Sequence, residues 1–253
     1  MKAIILAAGM GTRLGSLTKK IPKCMLKIFN QTLIERHVEI LRNCGINDII
    51  IVTGHQNEVI DLSNVTYVKN ENFKTTNINE SLFCALKEWD CSVLVLYSDI
   101  IFEQKIISDI LESREGIRLA VSLNWKNRYD DRKMHPLSEA ENVLIENNSI
   151  VQIQKNISKS TLDQQIGEFL GIMLISQEHV KIMLKKYAHL KKTHAGTFHK
   201  SQSLSNAYAT DMLQELINSE IKITPVITED KWREIDTVED LEIAKKLFRQ
   251  KHF

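Results

Sequence analysis

Three of the chain's few glycines fall in one seven-residue window close to the N-terminus. The window reads Gly9-Met10-Gly11-Thr12-Arg13-Leu14-Gly15 and follows the apolar residues 2–7 directly. In open α/β sheets, a loop of this kind points backbone N–H groups at an anion, and the missing side chains let the anion come close. Because the whole chain has only 9 glycines in 253 residues, about half of the usual usage of roughly 7%, their clustering predicts a phosphate-binding loop.

Two basic residues accompany the glycines. Arg13 stands inside the window, and Lys23 follows Pro22 a short distance behind it. Either cation alone is more often a solvated surface charge, but two cations beside a glycine loop can neutralise a polyphosphate. Together they indicate a nucleoside triphosphate as the ligand.

Two established glycine motifs compete for the same loop. A dinucleotide-binding G-x-G-x-x-G needs glycine where Leu14 stands, although a looser spacing could end at Gly15, and the second strand ends without the acid that would bind a ribose. A Walker loop fails because no Gly-Lys-Ser/Thr follows. The remaining alternative is a tight turn that binds nothing.

Two distant aspartates are candidate metal ligands. Asp99 ends an apolar run, and Asp236 follows another short run 137 residues later. Either one alone could simply cap a turn or a helix. As a pair they suit Mg²⁺, which is usually held by one or two carboxylates together with substrate phosphates.

These residues need a scaffold, and the first half of the chain alternates between apolar runs and helical spacing. Such alternation predicts a mostly parallel sheet covered by helices on both faces. The expected strands are 2–7, 48–53, 65–68, 92–97 and 117–123, and the expected helices are 31–43, 55–61, 78–88 and 103–113.

The second half is mixed, with no linker between it and the first. A hairpin is expected around Asn147-Asn148, and the polar segment 191–206 is expected to be a surface loop or lid. We expect strands at 143–146, 149–154, 167–176, 221–227 and 232–235, and helices at 177–190, 208–219 and 237–250. One domain, 1–253, is predicted, with a nucleotide-binding half at about 1–115 and an acceptor-binding half at about 116–253.

Composition excludes several classes of protein. The 33 basic residues nearly balance the 32 acidic ones, which argues against binding to nucleic acid or to an anionic membrane. No apolar run reaches the length of a membrane span, and the N-terminal run is too short for a signal peptide. The four cysteines lack C-x-x-C spacing, so we expect reduced thiols and a cytoplasmic protein.

A longer pattern is more restrictive than the glycines alone. The segment from Leu6 to Leu14, followed by Pro22-Lys23, resembles the signature of the nucleotidyltransferases that activate sugar phosphates and small phosphorylated alcohols. Further similarities run through nearly the whole chain: Asn77 with Ser81, Tyr97-Ser98-Asp99, Gly167-Glu168-Phe169-Leu170-Gly171, and Trp232-Arg233-Glu234-Ile235-Asp236-Thr237.

The resemblance implies a fold and a set of site residues. The fold would be a Rossmann-like three-layer α/β/α arrangement around a mostly parallel mixed sheet, GT-A-like, with a smaller acceptor-binding lobe. The loop would hold the triphosphate, Asn77 and Ser81 would read the base, and Asp99 and Asp236 would bind Mg²⁺, with Mn²⁺ as an alternative. Lys23, Arg13, Asp99 and Asp236 are the expected catalytic residues. The expected nucleotide-binding residues are Leu6, Ala7, Ala8, Gly9, Gly11, Thr12, Arg13, Lys23, Asn77, Ser81 and Asp99.

Within that family the chain resembles the short cytidylyltransferases, and most strongly those acting on phosphoglutamine in bacterial capsular phosphoramidate synthesis. The resemblance implies CTP and a small phosphorylated acceptor as substrates, with L-glutamine phosphate first. Phosphocholine, 2-aminoethylphosphonate or a sugar 1-phosphate are alternative acceptors. The expected acceptor-binding residues are Arg128, Tyr129, Arg132, Lys155, Glu168 and Asp211.

Two functions of other classes are also considered. A nucleotide-sensing protein of the same fold would not need Lys23 together with both aspartates, so their presence argues against it. A nicotinamide oxidoreductase is disfavoured by Leu14, by Pro22 and by the missing ribose acid. The sequence leaves the oligomeric state open, with a homodimer as one expectation.

Overall fold

The computed structural model describes residues 1–85, 89–130, 132–157 and 161–249. Nine of the strands in these ranges form one sheet, and all of them run in the same direction except β10 and β11. The strands of this sheet are β1 (Lys2–Ala7), β4 (Ile49–Thr53), β5 (Thr66–Lys69), β6 (Val93–Tyr97), β8 (Ile117–Ser122), β9 (Glu141–Glu146), β10 (Ser149–Lys155), β11 (Gln165–Ile175) and β12 (Ile223–Ile227).

Helices cover both faces of the sheet. The helices are α1 (Leu33–Asn43), α2 (Ile78–Cys84), α3 (Lys105–Ile110), α4 (Gln177–Thr193), α5 (Ala209–Asn218) and α6 (Val238–Leu247). Alternate side chains of β1 point to opposite faces, so Ile4 packs with α2, α4 and α5 while Ile5 packs with α1 and α3. Both sets are buried because the strand is apolar throughout. The expected three-layer, mostly parallel α/β fold is confirmed.

Strand β11 connects the two halves of the sheet. Its first residues pair with β9 and its last residues pair with β6, while β8 lies along its other edge. Gly171 lies between the two stretches at φ +69°, and a Cβ there would come within 2.6 Å of the Tyr97 ring. A side chain at this position would therefore clash with the end of β6.

A small second sheet brings the segment after Asp99 next to the segment before Asp236. Strand β7 (Ile100–Phe102) pairs antiparallel with β13 (Trp232–Glu234), and the backbone N–H of Ile235 donates to the Asp99 carbonyl at 2.8 Å. A third sheet, which follows the glycine loop, joins β2 (Lys27–Ile28) and β3 (Gln31–Thr32).

Several expected elements differ from the structure. The helix expected at 55–61 is only a 3-10 turn, Asn57–Val59, because Gln56 before it adopts a left-handed conformation. The segments 86–88 and 250 of two expected helices lie outside the described residues. Residues 191–206 are not simply a surface loop: α4 extends to Thr193, and Phe198, Ser201 and Leu204 are buried.

Other expectations are confirmed. Asn147 and Asn148 both have positive φ and close the β9–β10 hairpin, as a two-residue turn of this type requires. The four cysteines are unpaired. None of the described helices is both long enough and apolar enough to span a membrane.

Candidate active site

The glycine loop begins where β1 ends, and its conformation depends on Gly11. This residue lies at φ +61°, and a Cβ there would be 3.1 Å from the Lys23 Cβ. Thr18 closes the loop by donating its hydroxyl hydrogen to the Gly11 carbonyl at 2.8 Å. Gly11 is therefore required by backbone conformation and by the close approach of Lys23.

Gly9 is different. Its φ is not in the left-handed region, and a Cβ added there would meet no atom within 4 Å. The residue lines a cavity of about 180 Å³ at the end of β1. Protein packing does not require a glycine here, so the missing side chain leaves space in the cavity itself.

The walls of this nucleotide cavity contain eight of the eleven residues expected to bind nucleotide. The exceptions are Gly11, Thr12 and Arg13, of which Arg13 faces a neighbouring cavity. The lining residues are Leu6, Ala7, Ala8, Gly9, Lys23, Cys24, Phe73, Thr76, Asn77, Ile78, Ser81, Tyr97, Ser98 and Asp99.

A buried asparagine supports the polar wall of the nucleotide cavity. Asn70 donates its amide hydrogens to Ser81 Oγ at 2.9 Å and to Thr76 Oγ1 at 3.1 Å. Asn77 accepts from the Ile78 N–H at 2.8 Å. Sequence reasoning missed Asn70, because its role depends on a contact across eleven residues and not on any motif.

Lys23 is the centre of a charge cluster between the two cavities. Its Nζ donates to Asp99 Oδ2 at 2.8 Å and also to Asp236 Oδ1. Arg13 forms a second ion pair with Asp236, at 2.7 Å between Nη2 and Oδ2. All four residues expected to be catalytic therefore lie together, although Asp99 and Asp236 are 137 residues apart in the sequence.

The protonation of this cluster follows from its contacts. Burial opposes the charge on Lys23, but Asp99, Asp236 and Glu234 more than offset it and raise its pKa above the usual range. Burial also opposes charge on Asp236, yet Lys23 and then Arg13 hold its pKa well below its usual range. At neutral pH, Lys23 is a cation and Asp236 an anion.

Two further residues belong to the cluster and were not expected from the sequence. His135 Nδ1 lies 3.3 Å from Asp236 Oδ2, and its Nε2 lies 3.7 Å from Glu234 Oε2. Burial, and then the nearby Arg132, lower the pKa of His135 to about 4, so its ring is neutral at pH 7. Glu234 appears in the sequence only as part of the segment Trp232–Thr237, and no sequence signal marks His135.

The donor set fits a divalent cation. Asp99 Oδ1 is buried and has no hydrogen-bond partner among the described residues. One ligand atom from each of His135, Glu234 and Asp236 lies within 4.8 Å of the others. Carboxylate-rich sets with an unsatisfied oxygen suit Mg²⁺ and also Mn²⁺.

A second cavity of about 310 Å³ adjoins the first and shares Asn77, Ile78, Tyr97 and Asp99 with it. It carries more acidic than basic side chains. Its lining residues are Arg13, Asn77, Ile78, Tyr97, Asp99, Ile100, His135, Glu139, Glu141, Lys155, Glu168, Phe169, Leu170, Gly171, Tyr208, Trp232, Glu234 and Asp236.

Two of the six residues expected to bind the acceptor, Lys155 and Glu168, line this cavity. Lys155 Nζ lies 2.7 Å from Glu139 Oε2 and 4.4 Å from the centre of the Tyr208 ring. Glu168 accepts from the Tyr129 hydroxyl at 2.6 Å, and burial raises the pKa of Glu168 to about 7.

The other four expected acceptor residues lie outside this lining and bind protein groups instead. Arg128 donates to the Trp232 and Asp230 carbonyls, and Tyr129 donates to Glu168. Arg132 is buried and pairs with Asp240 at 2.6 Å and with Glu234 at 3.4 Å. Asp211 accepts from Ser201 at 2.7 Å and from the Tyr208 N–H at 2.8 Å, where it caps α5.

Arg128, Tyr129 and Arg132, within the stretch from Trp125 to Arg132, therefore contact lining residues without lining the cavity themselves. The aromatic and basic groups of this stretch are engaged in pairs, since Trp125 packs edge-on against Tyr129 and Arg132 lies over the Tyr129 ring. Asp131, within the same stretch, lies outside the described residues.

Comparison with known proteins agrees with this geometry. The family model of the MobA-like NTP transferase domain matches residues 3–203. A CTP:phosphoglutamine cytidylyltransferase of Campylobacter jejuni is 29% identical over 256 residues, covering 96% of this chain and 98% of that protein. A choline-phosphate cytidylyltransferase of Streptococcus pneumoniae is 36% identical over 117 residues, covering 45% of this chain and 51% of that protein.

Solved structures share the fold. The CTP:phosphocholine cytidylyltransferase of Streptococcus pneumoniae superposes with a TM-score of 0.73 at 23% identity, covering 97% of each chain. The inositol-1-phosphate CTP transferase of T. maritima superposes with a TM-score of 0.74 at 21% identity, covering 97% of this chain and 94% of that one.

Proposed function

This chain belongs to the family of MobA-like NTP transferase domains, and on that premise we propose that it is a cytidylyltransferase. It transfers CMP from CTP to a small phosphorylated amine or amino acid and releases pyrophosphate. The first acceptor to test is L-glutamine phosphate, which would give CDP-L-glutamine for modification of a capsule or other surface polysaccharide. The similarity to a phosphoglutamine enzyme over nearly the full length of both chains supports this choice.

The observation that carries the proposal is the position of Lys23 at the junction of the two cavities, bound to Asp99 and Asp236. A nucleotide seated on the glycine loop in the first cavity would present its phosphates at this junction. An acceptor in the second cavity would reach the same point from the other side. The arrangement suits direct transfer between two bound substrates.

In the reaction, an oxygen of the acceptor phosphate attacks the α-phosphorus of CTP. A new P–O bond forms, the bond from the α-phosphorus to the bridging β-phosphate oxygen breaks, and pyrophosphate leaves with the electron pair. Phosphate is already an anionic nucleophile at neutral pH, so this transfer needs no general base and no covalent enzyme intermediate. The protein's contribution is alignment and neutralisation of charge.

Each residue of the cluster has a role in that scheme. Loop amides beginning at Gly9 bind the triphosphate, and Lys23 and Arg13 neutralise its charge. Asp99 and Asp236 would hold Mg²⁺, which when bound supplies further neutralisation of phosphate charge as a Lewis acid. Asn77 and Ser81 bind the base edge, with Asn70 fixing the Ser81 hydroxyl.

The acceptor occupies the second cavity, so residues 1–115 serve the nucleotide and 116–253 serve chiefly the acceptor. Lys155 and Glu168 contact it directly. We assign Arg128, Tyr129, Arg132 and Asp211 to positioning, because their side chains bind residues that line the cavity, namely Trp232, Glu168, Glu234 and Tyr208.

The test is pyrophosphate release by the purified protein with each of CTP, UTP, ATP, GTP and dTTP. The acceptor panel contains L-glutamine phosphate, phosphocholine, 2-aminoethylphosphonate and sugar 1-phosphates. We expect magnesium-dependent release with CTP and an amine-bearing acceptor. Release with a sugar 1-phosphate alone would reassign the acceptor, and no release with any pair would overturn the enzymatic proposal.

The variant Asp236→Ala distinguishes the proposed enzyme from a nucleotide sensor of the same fold. A sensor would bind CTP and respond to it normally in this variant, whereas the proposed enzyme would lose turnover. A homodimer in the cytoplasm stays a prediction, which sedimentation of the purified protein and cell fractionation test.

A further inference from the structure

One carboxylate oxygen in the acceptor cavity is buried without a partner. Glu168 is only 4% exposed, and its Oε2 has no hydrogen bond to any described residue, while Oε1 accepts from the Tyr129 hydroxyl at 2.6 Å. A buried carboxylate oxygen left unsatisfied is costly, and native proteins avoid it except where a ligand, ion or water completes the site. Glu168 lines the cavity, so the missing hydrogen-bond donor can come from a bound ligand.

A second glutamate in the same cavity is also weakly satisfied. Glu141 receives only two long hydrogen bonds, each of 3.3 Å, from the Tyr97 and Thr210 hydroxyls. Within the described part of the chain, neither Glu141 nor Glu168 forms an ion pair, in contrast to Glu139, whose partner is Lys155. The two acids therefore have no direct ion pair, although Lys155 is close enough to lower the pKa of Glu141 and Arg132 is close enough to lower that of Glu168.

The protonation of the two acids supports the same interpretation. Burial raises the pKa of Glu141 to about 7 and that of Glu168 to about 7, and the proximity of Glu141 contributes to the shift at Glu168. A positively charged ligand between them would favour both carboxylates in the ionised form.

The aromatic side chains of the cavity do not offer a cage for a methylated cation. Lys155 Nζ already lies 4.4 Å from the centre of the Tyr208 ring, and the Arg128 guanidinium lies 5.3 Å from that of Trp232. Tyr97 and Phe169 pack edge-on against each other at 5.8 Å. A trimethylammonium group depends on open aromatic faces and cannot donate a hydrogen bond.

Resting on the proposed function, we propose that Glu168 and Glu141 bind a hydrogen-bearing nitrogen of the acceptor, a primary ammonium, and thereby select against trimethylammonium acceptors. Glu168 Oε2 accepts one N–H, and Glu141 accepts another. Lys155, which lines the same cavity, would bind an anionic group of the acceptor. A zwitterionic phosphorylated amino acid matches this distribution of charge.

The experiment compares two pairs of acceptors that differ only in methylation of the nitrogen. The pairs are L-glutamine phosphate with its Nα-trimethyl derivative, and phosphoethanolamine with phosphocholine. With CTP and Mg²⁺, we expect the primary amine of each pair to have a kcat/KM about 10- to 100-fold higher, since a hydrogen bond to a charged group is lost on methylation.

The variant Glu168→Gln tests the residue directly. Glutamine retains an oxygen that can accept from the Tyr129 hydroxyl, so the cavity wall is preserved. We expect this variant to raise KM for the amine about tenfold or more while leaving kcat and the Kd for CTP little changed. KM for the trimethylammonium acceptor should change much less. The ratio of kcat/KM between the amine and the trimethylammonium acceptor should therefore decrease.

Glu139→Gln is the matched control, because Glu139 lines the same cavity but is already paired with Lys155. Glu139→Gln should change kcat/KM for the two acceptors of a pair by the same factor, so that the ratio of the two kcat/KM values stays the same. Equal kcat/KM for amine and trimethylammonium acceptors in the wild type, or an unchanged ratio in Glu168→Gln, overturns the inference but not the proposed function. CTP turnover with sugar phosphates alone reassigns the acceptor and overturns the inference, and no turnover with any acceptor overturns both.

Discussion

The two cavities of this protein are built in different ways. The nucleotide cavity is formed by three segments of the first hundred residues, 6–24, 73–81 and 97–99, in which the end of β1 and Gly9 contribute backbone and Lys23 contributes charge. The acceptor cavity is formed by side chains from widely separated segments, including Glu141 on β9, Lys155 on β10 and Glu168 on β11. The first depends on local backbone conformation, and the second depends on how strands from the second half pair.

The difference extends to electrostatics. Acid and base are matched at the junction, where Lys23 and Arg13 pair with Asp99 and Asp236. In the acceptor cavity, neither Glu141 nor Glu168 forms an ion pair among the described residues, and Glu168 Oε2 has no hydrogen-bond partner there. A cluster whose charges are already paired suits a chemical step that is the same for every acceptor. A cavity with unpaired acids can instead bind a cationic group of the ligand.

The first prediction has the largest expected effect and tests whether Lys23 acts in the transfer of CMP, the step that all acceptors share. Lys23→Met should lower kcat/KM about 10³-fold, because a preorganised positive charge beside the reacting phosphates is lost. The ratio between amine and trimethylammonium acceptors should not change. Steady-state pyrophosphate release measures both quantities. Lys20→Met, at an exposed lysine three residues earlier, is the control, and an equal loss there would refute a specific role.

The second prediction concerns the support of the acceptor cavity. Arg132→Met should lower the free energy of unfolding by about 3 kcal/mol, because it leaves the buried Asp240 without its cationic partner. Denaturant unfolding measures this loss. Arg114→Met, at an exposed arginine, should be close to neutral. If Arg132→Met is equally neutral, the buried ion pair does not hold the wall.

The third prediction concerns the pH dependence of stability. Burial raises the pKa of Glu141 from 4.5 to about 7. Between these values the unfolded chain has lost this proton while the folded chain keeps it, so the contribution of Glu141 to stability falls as pH rises. Between pH 5 and pH 8 we expect the free energy of unfolding of wild type to fall by roughly 2 kcal/mol relative to that of Glu141→Gln.

Unfolding in denaturant at several pH values measures that difference. Glu115→Gln, at an exposed glutamate, should give a curve parallel to wild type. If the Glu141→Gln curve is also parallel to wild type, ionisation of Glu141 does not destabilise the folded protein. That result would weaken the contrast between the two cavities.

The smallest expected effect separates the two kinds of glycine in the loop. Gly9→Ala should raise KM for CTP about tenfold, because a methyl group would enter a well-filled binding site, but should leave the melting temperature unchanged. Gly11→Ala should instead destabilise the fold by about 1 kcal/mol, since its φ is +61°. Calorimetry and CTP titration of both variants distinguish these outcomes, and identical behaviour would contradict the assignment.

Sequence reasoning was most successful where one short stretch carries the information. The expected strands 2–7, 48–53 and 92–97 correspond closely to β1, β4 and β6, because each is a continuous apolar run. The helix expected at 55–61 was wrong because its short apolar pattern did not show the left-handed residue Gln56 before it.

The Trp125–Arg132 stretch shows the limit of composition as a guide. Tyr129 and Arg132 are expected from the resemblance to bind the acceptor, and the structure shows both side chains buried and bound to Glu168 and Asp240. Composition does not tell which face of a segment meets the ligand. Pairing of such residues with each other is equally consistent with the sequence.

The sequence alone located the glycine loop and the lysine behind it, because spacing within a loop is a local property, whereas the choice of Asp99 and Asp236 also rested on the resemblance to the nucleotidyltransferases. Only the tertiary structure decided that β7 and β13 bring Asp99 and Asp236 to one lysine, and that His135, Glu234 and Glu141 join the site. The approach of Asp99 to Asp236 depends on strand pairing between residues more than a hundred positions apart. No local spacing encodes which of several buried acids will face a cavity.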